Sequence, residues 1–381
     1  MTKETQPYNR VEIDLAALRH NYLALRQLVD PRVGLLAVVK SDAYGHGLRK
    51  VAGALSLAGA SCFGVADVEE GVRLRQAGIT GEIVILLGGR TGSIADLLAN
   101  DLTPVVFDRE FLSELAAAAN EAGRVAPVQL KVDTGMGRLG VMPEELPAYL
   151  ELLRESPAVR LTGVLSHFPL ADAADLGPTA AQNRRFTELL ADVAGEPLAH
   201  IANSAALLRE EASHHDLVRP GITLYGCYPA ADPALRDKVR LKPVMSFKSR
   251  VLQVKEVPPG YGISYGQLFI TSRPTRLAVL PVGYDDGYLR RLTGRAQVLI
   301  GGMRVPVVGR ICMNACLADV TDLPAVAPGD EVVLLGRQGT EEITADELAA
   351  WQDTINYEVL CLFGGRNYRL YRTETGDLNE E

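Results

Sequence analysis

Between Leu35 and about Gly226 the chain repeats one pattern eight times: a short apolar run, then a longer stretch of helical periodicity. The runs are Leu35 to Lys40, Cys62 to Ala66, Ile83 to Gly88, Thr103 to Phe107, Val128 to Asp133, Thr162 to His167, Leu198 to Asn203 and Leu217 to Tyr225. Between them lie stretches such as Leu48 to Leu57, Val68 to Ala77, Phe111 to Ala119 and Gln182 to Val193. Runs of this length, rich in Val, Ile and Leu, read as parallel strands buried on both faces. Eight strand-helix cycles predict an α/β fold built on a closed (β/α)8 barrel, with an open doubly wound sheet as the alternative. No G-x-G-x-x-G follows the first strand and no G-x-x-x-x-G-K-[ST] occurs, so dinucleotide and P-loop readings lose their main support.

After about Arg240 the texture changes. Met245 to Val257, Thr275 to Gly283, Ala296 to Ile300, Met303 to Met313 and Glu331 to Leu335 are strand-like and separated by Pro and Gly turns, and Ala345 to Gln352 reads as a helix capped by Thr344. Tyr8 to Ile13 alternates like a strand and Asp14 to Leu28 reads as a helix. The expected organisation is a barrel over 12–240, followed by a mostly β domain over 241–381 that also takes the N-terminal strand, 1–11. A net charge of −8, with no basic run interleaved with aromatics, argues against nucleic acid as a partner. The opening MTKETQPYNR has no apolar signal region and no stretch approaches the roughly 20 apolar residues of a bilayer span, so a cytoplasmic protein without membrane contact is expected. Five scattered cysteines suggest reduced thiols, and the adjacent pair His214-His215 does not by itself make a metal site; none is expected.

In such a barrel, chemistry sits at the carboxyl ends of the strands. Lys40 ends the first run, Lys131 and Asp133 lie on the fifth with Arg138 beyond, and His167 ends the sixth. Asn203-Ser204 ends the seventh run and Arg219-Pro220-Gly221-Ile222 occupies the eighth. Taken singly, Lys40 could be a snorkelling strand-end lysine, His167 a core histidine and Arg219 a barrel ion-pair partner. Together they suggest a site. Partial desolvation would favour a neutral Lys40 amine able to condense with an aldehyde. Ser204 with the backbone N–H groups of Gly221 and Ile222 would form an anion nest. An imine-forming lysine facing a phosphate cradle suggests pyridoxal 5'-phosphate. Arg219 could then donate to an unprotonated ring nitrogen, because guanidinium has no acceptor to offer. Such a ring is a poor electron sink, which favours reprotonation at Cα.

With these residues assembled, the chain resembles the alanine racemases, pyridoxal-phosphate isomerases of fold type III, from about Val11 to Tyr371. The resemblance is carried by Ala37-Val38-Val39-Lys40 with Ala43-Tyr44-Gly45-His46-Gly47, by Lys131 through Arg138, by Ser166-His167-Phe168, Ala202-Asn203-Ser204 and Arg219-Pro220-Gly221. In the second domain it is carried by Gly262 through Gly266, Val282-Gly283-Tyr284, Gly309 through Met313, and Thr354 through Glu358. It implies racemisation of L- and D-alanine by two bases, Lys40 and Tyr265, supplying D-alanine for peptidoglycan. A phenol's ordinary pKa near 10 makes it a poor base, so Tyr265 would need help, which the family pattern routes through His167 toward Arg219. The resemblance further places Arg138 and the Met313 backbone at the substrate carboxylate. Tyr44, Tyr357, Ser204, Gly221 and Ile222 would hold the phosphate, with Asn203 and His167 beside the cofactor and Lys131 as a lysine often carbamylated. It implies a homodimer in which Tyr265 and Met313 enter the neighbouring subunit's barrel.

Two positions depart from the usual pattern. Asn314 stands after Met313 where Asp is common, and Pro169 follows Phe168 where a small residue is usual. Losing a carboxylate there should alter the local field, so a broader racemase acting on serine or basic amino acids is the first alternative. A non-catalytic pyridoxal-phosphate carrier is disfavoured by the β domain, and a fold-type III decarboxylase by an arginine at position 219.

Overall fold

The computed structural model describes residues 7–373 and 378–380. The chain divides into two compact units, one of residues 18–43 and 48–242, the other of 1–17, 44–47 and 243–381. The segment 44–47 goes with the second unit. Of the expected N-terminal strand, residues 1–6 lie outside the described residues.

In the first unit eight parallel strands form a nearly closed barrel. In chain order they are Gly34–Val38, Cys62–Val65, Glu82–Ile85, Thr103–Val106, Ala126–Lys131, Val159–Leu165, Leu198–His200 and Leu217–Val218. The first strand is buried from Leu35 to Val38 because helices cover one face and the barrel interior the other. It pairs with the last strand at Gly34↔Leu217. A Cβ on Gly34 would lie 2.7 Å from Leu217 Cδ1, so glycine permits that register. The seventh and eighth strands are stitched by Asp216 N donating to Ala199 O at 3.1 Å and Arg219 N to Ala202 O at 2.9 Å. Asp67 and Asp108 cap the helices Val68–Gln76 and Arg109–Glu121, accepting from Glu70 N and Phe111 N at 2.8 Å.

The eighth strand is shorter than the run Leu217 to Tyr225 suggested. Pro220 has no N–H for the ladder, and the chain then turns, with Leu224 N on Gly221 O and Tyr225 N on Ile222 O. Arg219 N and Pro220 O still bond to the neighbouring strands, at Ala202 O and Val38 N, and the turn leaves Gly221 N to bond Ser204 Oγ instead of a ladder carbonyl.

The second unit is built on one largely antiparallel sheet. Its strand order is Gln253–Val257, Thr275–Leu280, Cys316–Asp319, Met303–Val308, Gln297–Ile300, Glu331–Gln338, Met245–Arg250, Arg10–Asp14, Tyr368–Arg372 and Leu378–Glu380, with Glu341–Ile343 beside Glu331–Gln338. Buried Glu12 ties three neighbouring strands, accepting from Arg10 Nε and Lys248 Nζ at 3.0 Å and from Arg372 Nη2 at 3.2 Å. Burial pushes its pKa up, but Lys248 and Arg10 outweigh this and hold it below the usual value.

The helix Ala345–Gln352 begins with a capping box, Thr344 Oγ1 accepting from Glu347 N at 3.1 Å. A second helix, Asn356–Arg366, was not evident in the sequence, where Gly364-Gly365 weakens the helical signal. Gly364 is required by packing: a Cβ there would sit 1.9 Å from Gly45 O, whereas one on Gly365 meets nothing within 4 Å. Gly364→Ala is therefore expected to destabilise this unit by about 2 kcal/mol, and Gly365→Ala to be neutral or slightly stabilising. Thermal unfolding of the two variants checks this; equal midpoints would contradict it.

Candidate active site

The barrel rim is organised around Arg219, only 5% exposed. Its Nη1 donates to His200 Nδ1 and His200 O, both at 2.9 Å. Its Nη2 donates to Ser166 O at 2.7 Å, Ile201 O at 3.0 Å and His167 Nδ1 at 3.2 Å. None of these bonds, among the described residues, uses Nε. Because a guanidinium only donates, both Nδ1 atoms must be acceptors, which puts the proton of each imidazole on Nε2. Burial, reinforced by Arg219 and Lys131, drives the pKa of both His167 and His200 well below the ordinary value. Both are neutral bases of fixed tautomer.

Other expected residues gather on the same unit. Lys131 is buried at the end of the fifth strand, and its pKa is down to about 8. Burial is the main cause, with Arg219, Arg138 and Lys40 adding repulsion and Asp133 opposing. The carboxylate of Asp133 is already engaged by the N–H groups of Gly135 at 2.9 Å, Met136 at 2.7 Å and Arg138 at 3.1 Å. These backbone bonds, overcoming burial, hold its pKa low. Four cationic side chains thus face one committed carboxylate, an excess positive field that suits an anionic ligand.

Asn203 caps the short helix Ser204–Arg209, its Oδ1 accepting from Ala205 N at 3.1 Å and Ala206 N at 3.0 Å. Its oxygen is therefore spent on placing Ser204. Ser204 Oγ accepts from Gly221 N at 2.9 Å and lies 3.1 Å from Thr223 Oγ1. Gly221 thus acts on the hydroxyl oxygen, leaving the hydroxyl hydrogen to point elsewhere.

Lys40 is half-buried directly after the first strand. The four residues behind it, Ser41, Asp42, Ala43 and Tyr44, all take left-handed backbone angles, with φ of 56°, 53°, 55° and 55°. Each non-glycine residue in that region costs about 1–2 kcal/mol. Buried Glu70 helps hold the turn, accepting from Asp42 N at 2.8 Å and from Ala66 N at 2.9 Å, while Asp42 Oδ1 accepts from Leu48 N at 2.8 Å. Glu70 carried no sequence signal, because a glutamate in the first turn of a helix reads as a solvent-facing residue.

On the second unit, the rings of Tyr44 and Tyr357 lie 6.0 Å apart, and burial raises the Tyr44 phenol's pKa. Tyr265 is 71% exposed and follows Ser264, whose φ of 60° is rare for a non-glycine residue. Ser264 Oγ donates to Arg310 O at 2.7 Å. A Cβ on Gly309 would come within 2.8 Å of Ile263 Cγ2, so this turn packs on a bare glycine. Tyr284 N and Asp285 N each donate at 3.1 Å, to Cys312 O and Met313 O respectively, fixing the loop that exposes Met313. Tyr265, Tyr284, Arg290, Ile311 and Cys312 line a cleft of about 560 Å³. Exposed Asn314 donates to Asp285 Oδ2 at 3.4 Å, and Pro169 of the barrel unit is also exposed.

His214 Nε2 faces Leu207 O and His215 Nε2 faces Asn183 Oδ1. Among the described residues no cluster of three or more His, Cys, Asp or Glu could hold a metal, and no helix is long and apolar enough to cross a membrane.

Residues 13–229 match the family described as "Alanine racemase, N-terminal domain" and residues 244–371 that described as "Alanine racemase, C-terminal domain". A protein of Syntrophobacter fumaroxidans named "Alanine racemase" is 46% identical over 372 residues, 97% of this chain and 99% of that protein. The alanine racemase of a D-cycloserine-producing Streptomyces lavendulae superposes with a TM-score of 0.91 at 39% identity, over 96% of this chain and 97% of that one. The Bartonella henselae alanine racemase structure, described with covalently bound pyridoxal phosphate, gives a TM-score of 0.87 at 30% identity, over 96% of this chain and 100% of that one.

Buried His200 and half-buried His167, both with depressed pKa values, bear on stability. Their folded-state pKa lies below the unfolded value near 6.5, so above that value they cost nothing, and as pH falls through it only the unfolded chain gains protons. Stability should fall on acidification, each histidine contributing a slope of up to about 1.4 kcal/mol per pH unit. The urea midpoint is expected to be lower at pH 5.5 than at pH 7.5; titration of His167 and His200 near pH 6.5 in the folded protein would contradict this.

Proposed function

The chain belongs to the alanine racemase family, and from that premise we propose that it interconverts L- and D-alanine. The family depends on pyridoxal 5'-phosphate, which when bound acidifies the α-proton of an amino acid. The residues present fit that group. The excess of cationic side chains suits an anion, the Arg219 bonds to protein run from its terminal nitrogens, and the Ser204 hydroxyl lies beside Thr223 Oγ1 with its oxygen accepting from Gly221 N.

The observation that carries the reading is Arg219, held by carbonyls and by two neutral imidazoles. A cation fixed this way would donate to the ring nitrogen without protonating it, since guanidinium keeps its proton. The residue that delivers a proton to Cα would then decide the stereochemistry.

Lys40 would hold the cofactor through its amine and, as a free amine, would accept or donate a proton on one face of the substrate. Tyr265 does the same on the other. His167, whose Nδ1 is committed to Arg219, has its Nε2–H to donate and so stabilises a phenolate at Tyr265. Arg138 grips the substrate carboxylate with its planar fork, assisted by the Met313 N–H. Ser204, Ile222, Tyr44 and Tyr357 would hold the phosphate; Gly221, expected to share that task, has its N–H committed to Ser204 Oγ and with Asn203 places that hydroxyl. Lys131, with a pKa of about 8, has a small neutral fraction at pH 7 able to take up carbon dioxide; the resulting carbamate would anchor Arg138.

The working unit is a homodimer in which Tyr265 and Met313 serve the partner's barrel. Exposed Leu268 and Ile270 beside Tyr265 support an apolar interface there. The enzyme is cytoplasmic and provides D-alanine for peptidoglycan.

Lys40→Ala is expected to abolish both racemisation and the absorbance of lysine-bound cofactor. Tyr265→Phe should keep that absorbance but lose at least about a hundredfold in turnover from L-alanine. Circular dichroism of L- and D-alanine in deuterated solvent, with serine and lysine as comparison substrates, measures this. Full activity in Tyr265→Phe, or a preference for another amino acid over alanine, would contradict the reading.

A further inference from the structure

Arg219 also makes contacts directed into the barrel. His200, fully buried, accepts from Arg219 at Nδ1 and so carries its proton on Nε2. That nitrogen lies 3.0 Å from Gln129 Oε1, and Gln129 Nε2 lies 3.3 Å from Glu82 Oε1. A carboxylate only accepts. Every bond in the line therefore runs one way, from Arg219 to His200 to Gln129 to Glu82.

Three strands bring these groups into line: Gln129 lies in the fifth, His200 ends the seventh and Glu82 opens the third. Gln129 is fully buried and Glu82 half-buried, which lets the carboxylate keep its charge at modest cost. Glycine at 163 makes room for the amide, since a Cβ there would lie 3.1 Å from both Cγ and Cδ of Gln129. Cys62 Sγ, 3.8 Å from Glu82 Oε2, is a further and weaker donor to the carboxylate.

We propose that Glu82 is the remote counter-charge of Arg219 and a positioning residue for the reaction, acting through Gln129 and His200. This rests on the racemase reading above. The mechanism is a chain of forbidden flips. If the Gln129 amide turned over, its NH2 would face the His200 Nε2–H, donor against donor, and its oxygen would face the Glu82 carboxylate, acceptor against acceptor. Glu82 forbids that flip, and His200 consequently cannot move its proton to Nδ1, where it would oppose Arg219 Nη1. The guanidinium is thereby held in one orientation from inside the barrel, and hydrogen bonds aligned head to tail reinforce one another.

The test is 15N NMR of histidine-labelled protein with pyridoxal phosphate bound, together with steady-state kinetics. In the wild type, His200 should show a protonated Nε2 and a bare Nδ1 from pH 6 to 8. Glu82→Leu should mix the two tautomers and lower kcat about tenfold with little change in KM for alanine. Glu82→Gln, which keeps an acceptor, should recover most of both. A wild-type His200 protonated on Nδ1, or on both nitrogens, would overturn the proposal without any variant. So would a Glu82→Leu enzyme with unchanged 15N pattern and kcat. If racemisation is absent but the His200 pattern holds and responds to Glu82→Leu, the functional reading fails and the relay stands.

Discussion

A buried guanidinium bonded, among the described residues, to carbonyls and imidazoles and not to a carboxylate is the constraint on which the barrel site depends. Arg219 satisfies its terminal nitrogens with the carbonyls of Ser166, His200 and Ile201 and with the Nδ1 atoms of His167 and His200. Carbonyls and neutral imidazoles can solvate a cation but cannot take its proton or cancel its charge. The cation therefore stays strongly polarising, and it adds to the burial that keeps two histidines neutral and brings Lys131 down to about 8, in a site that attracts anions. The three carbonyls come from the ends of the sixth and seventh strands, so barrel geometry itself builds the cage.

Strain is concentrated beside the two groups assigned to proton transfer. Behind Lys40 the chain makes four consecutive left-handed residues without a glycine among them, and before Tyr265 stands Ser264 in another rare conformation. In each case side chains hold what local sterics oppose. Glu70 grips the N–H groups of Asp42 and Ala66, and Ser264 reaches Arg310 O over the bare surface of Gly309. Such strain is stable only where surrounding contacts over-determine it. It fixes the direction in which each functional side chain leaves the backbone, which is the quantity a two-faced proton transfer needs.

Much of this was legible from residues alone, and for physical reasons. Parallel strands buried on both faces leave uninterrupted apolar runs, and all eight were visible. Candidate site residues at strand ends stand out because Lys40, Lys131 and His167 interrupt or close those runs. Thr344 announced its helix as an N-cap, and the structure adds the reciprocal bond from Thr344 N to Glu347 Oε2. What escaped notice had no local signature. Left-handed angles at Ser41 to Tyr44 are imposed by tertiary contacts, as no glycine marks them. Gly364-Gly365 disguised a helix whose first glycine serves a close approach to Gly45. Gln129 and His200 are single polar residues within short strands, and their alignment with Glu82 exists only once three strands are in register. The eighth strand ended early because Pro220 has no N–H to donate, although its carbonyl still accepts from Val38 N, a stop the apolar run itself concealed.

The central claim is that a locked Arg219 donates a hydrogen bond to a ring nitrogen that remains unprotonated, keeping carbanion charge near Cα. The most direct measurement is the 15N shift of the ring nitrogen in protein reconstituted with 15N-labelled pyridoxal phosphate, followed across neutral pH. The account predicts the shift of a hydrogen-bonded but unprotonated pyridine that does not change with pH. The shift of a pyridinium ion at neutral pH would contradict it.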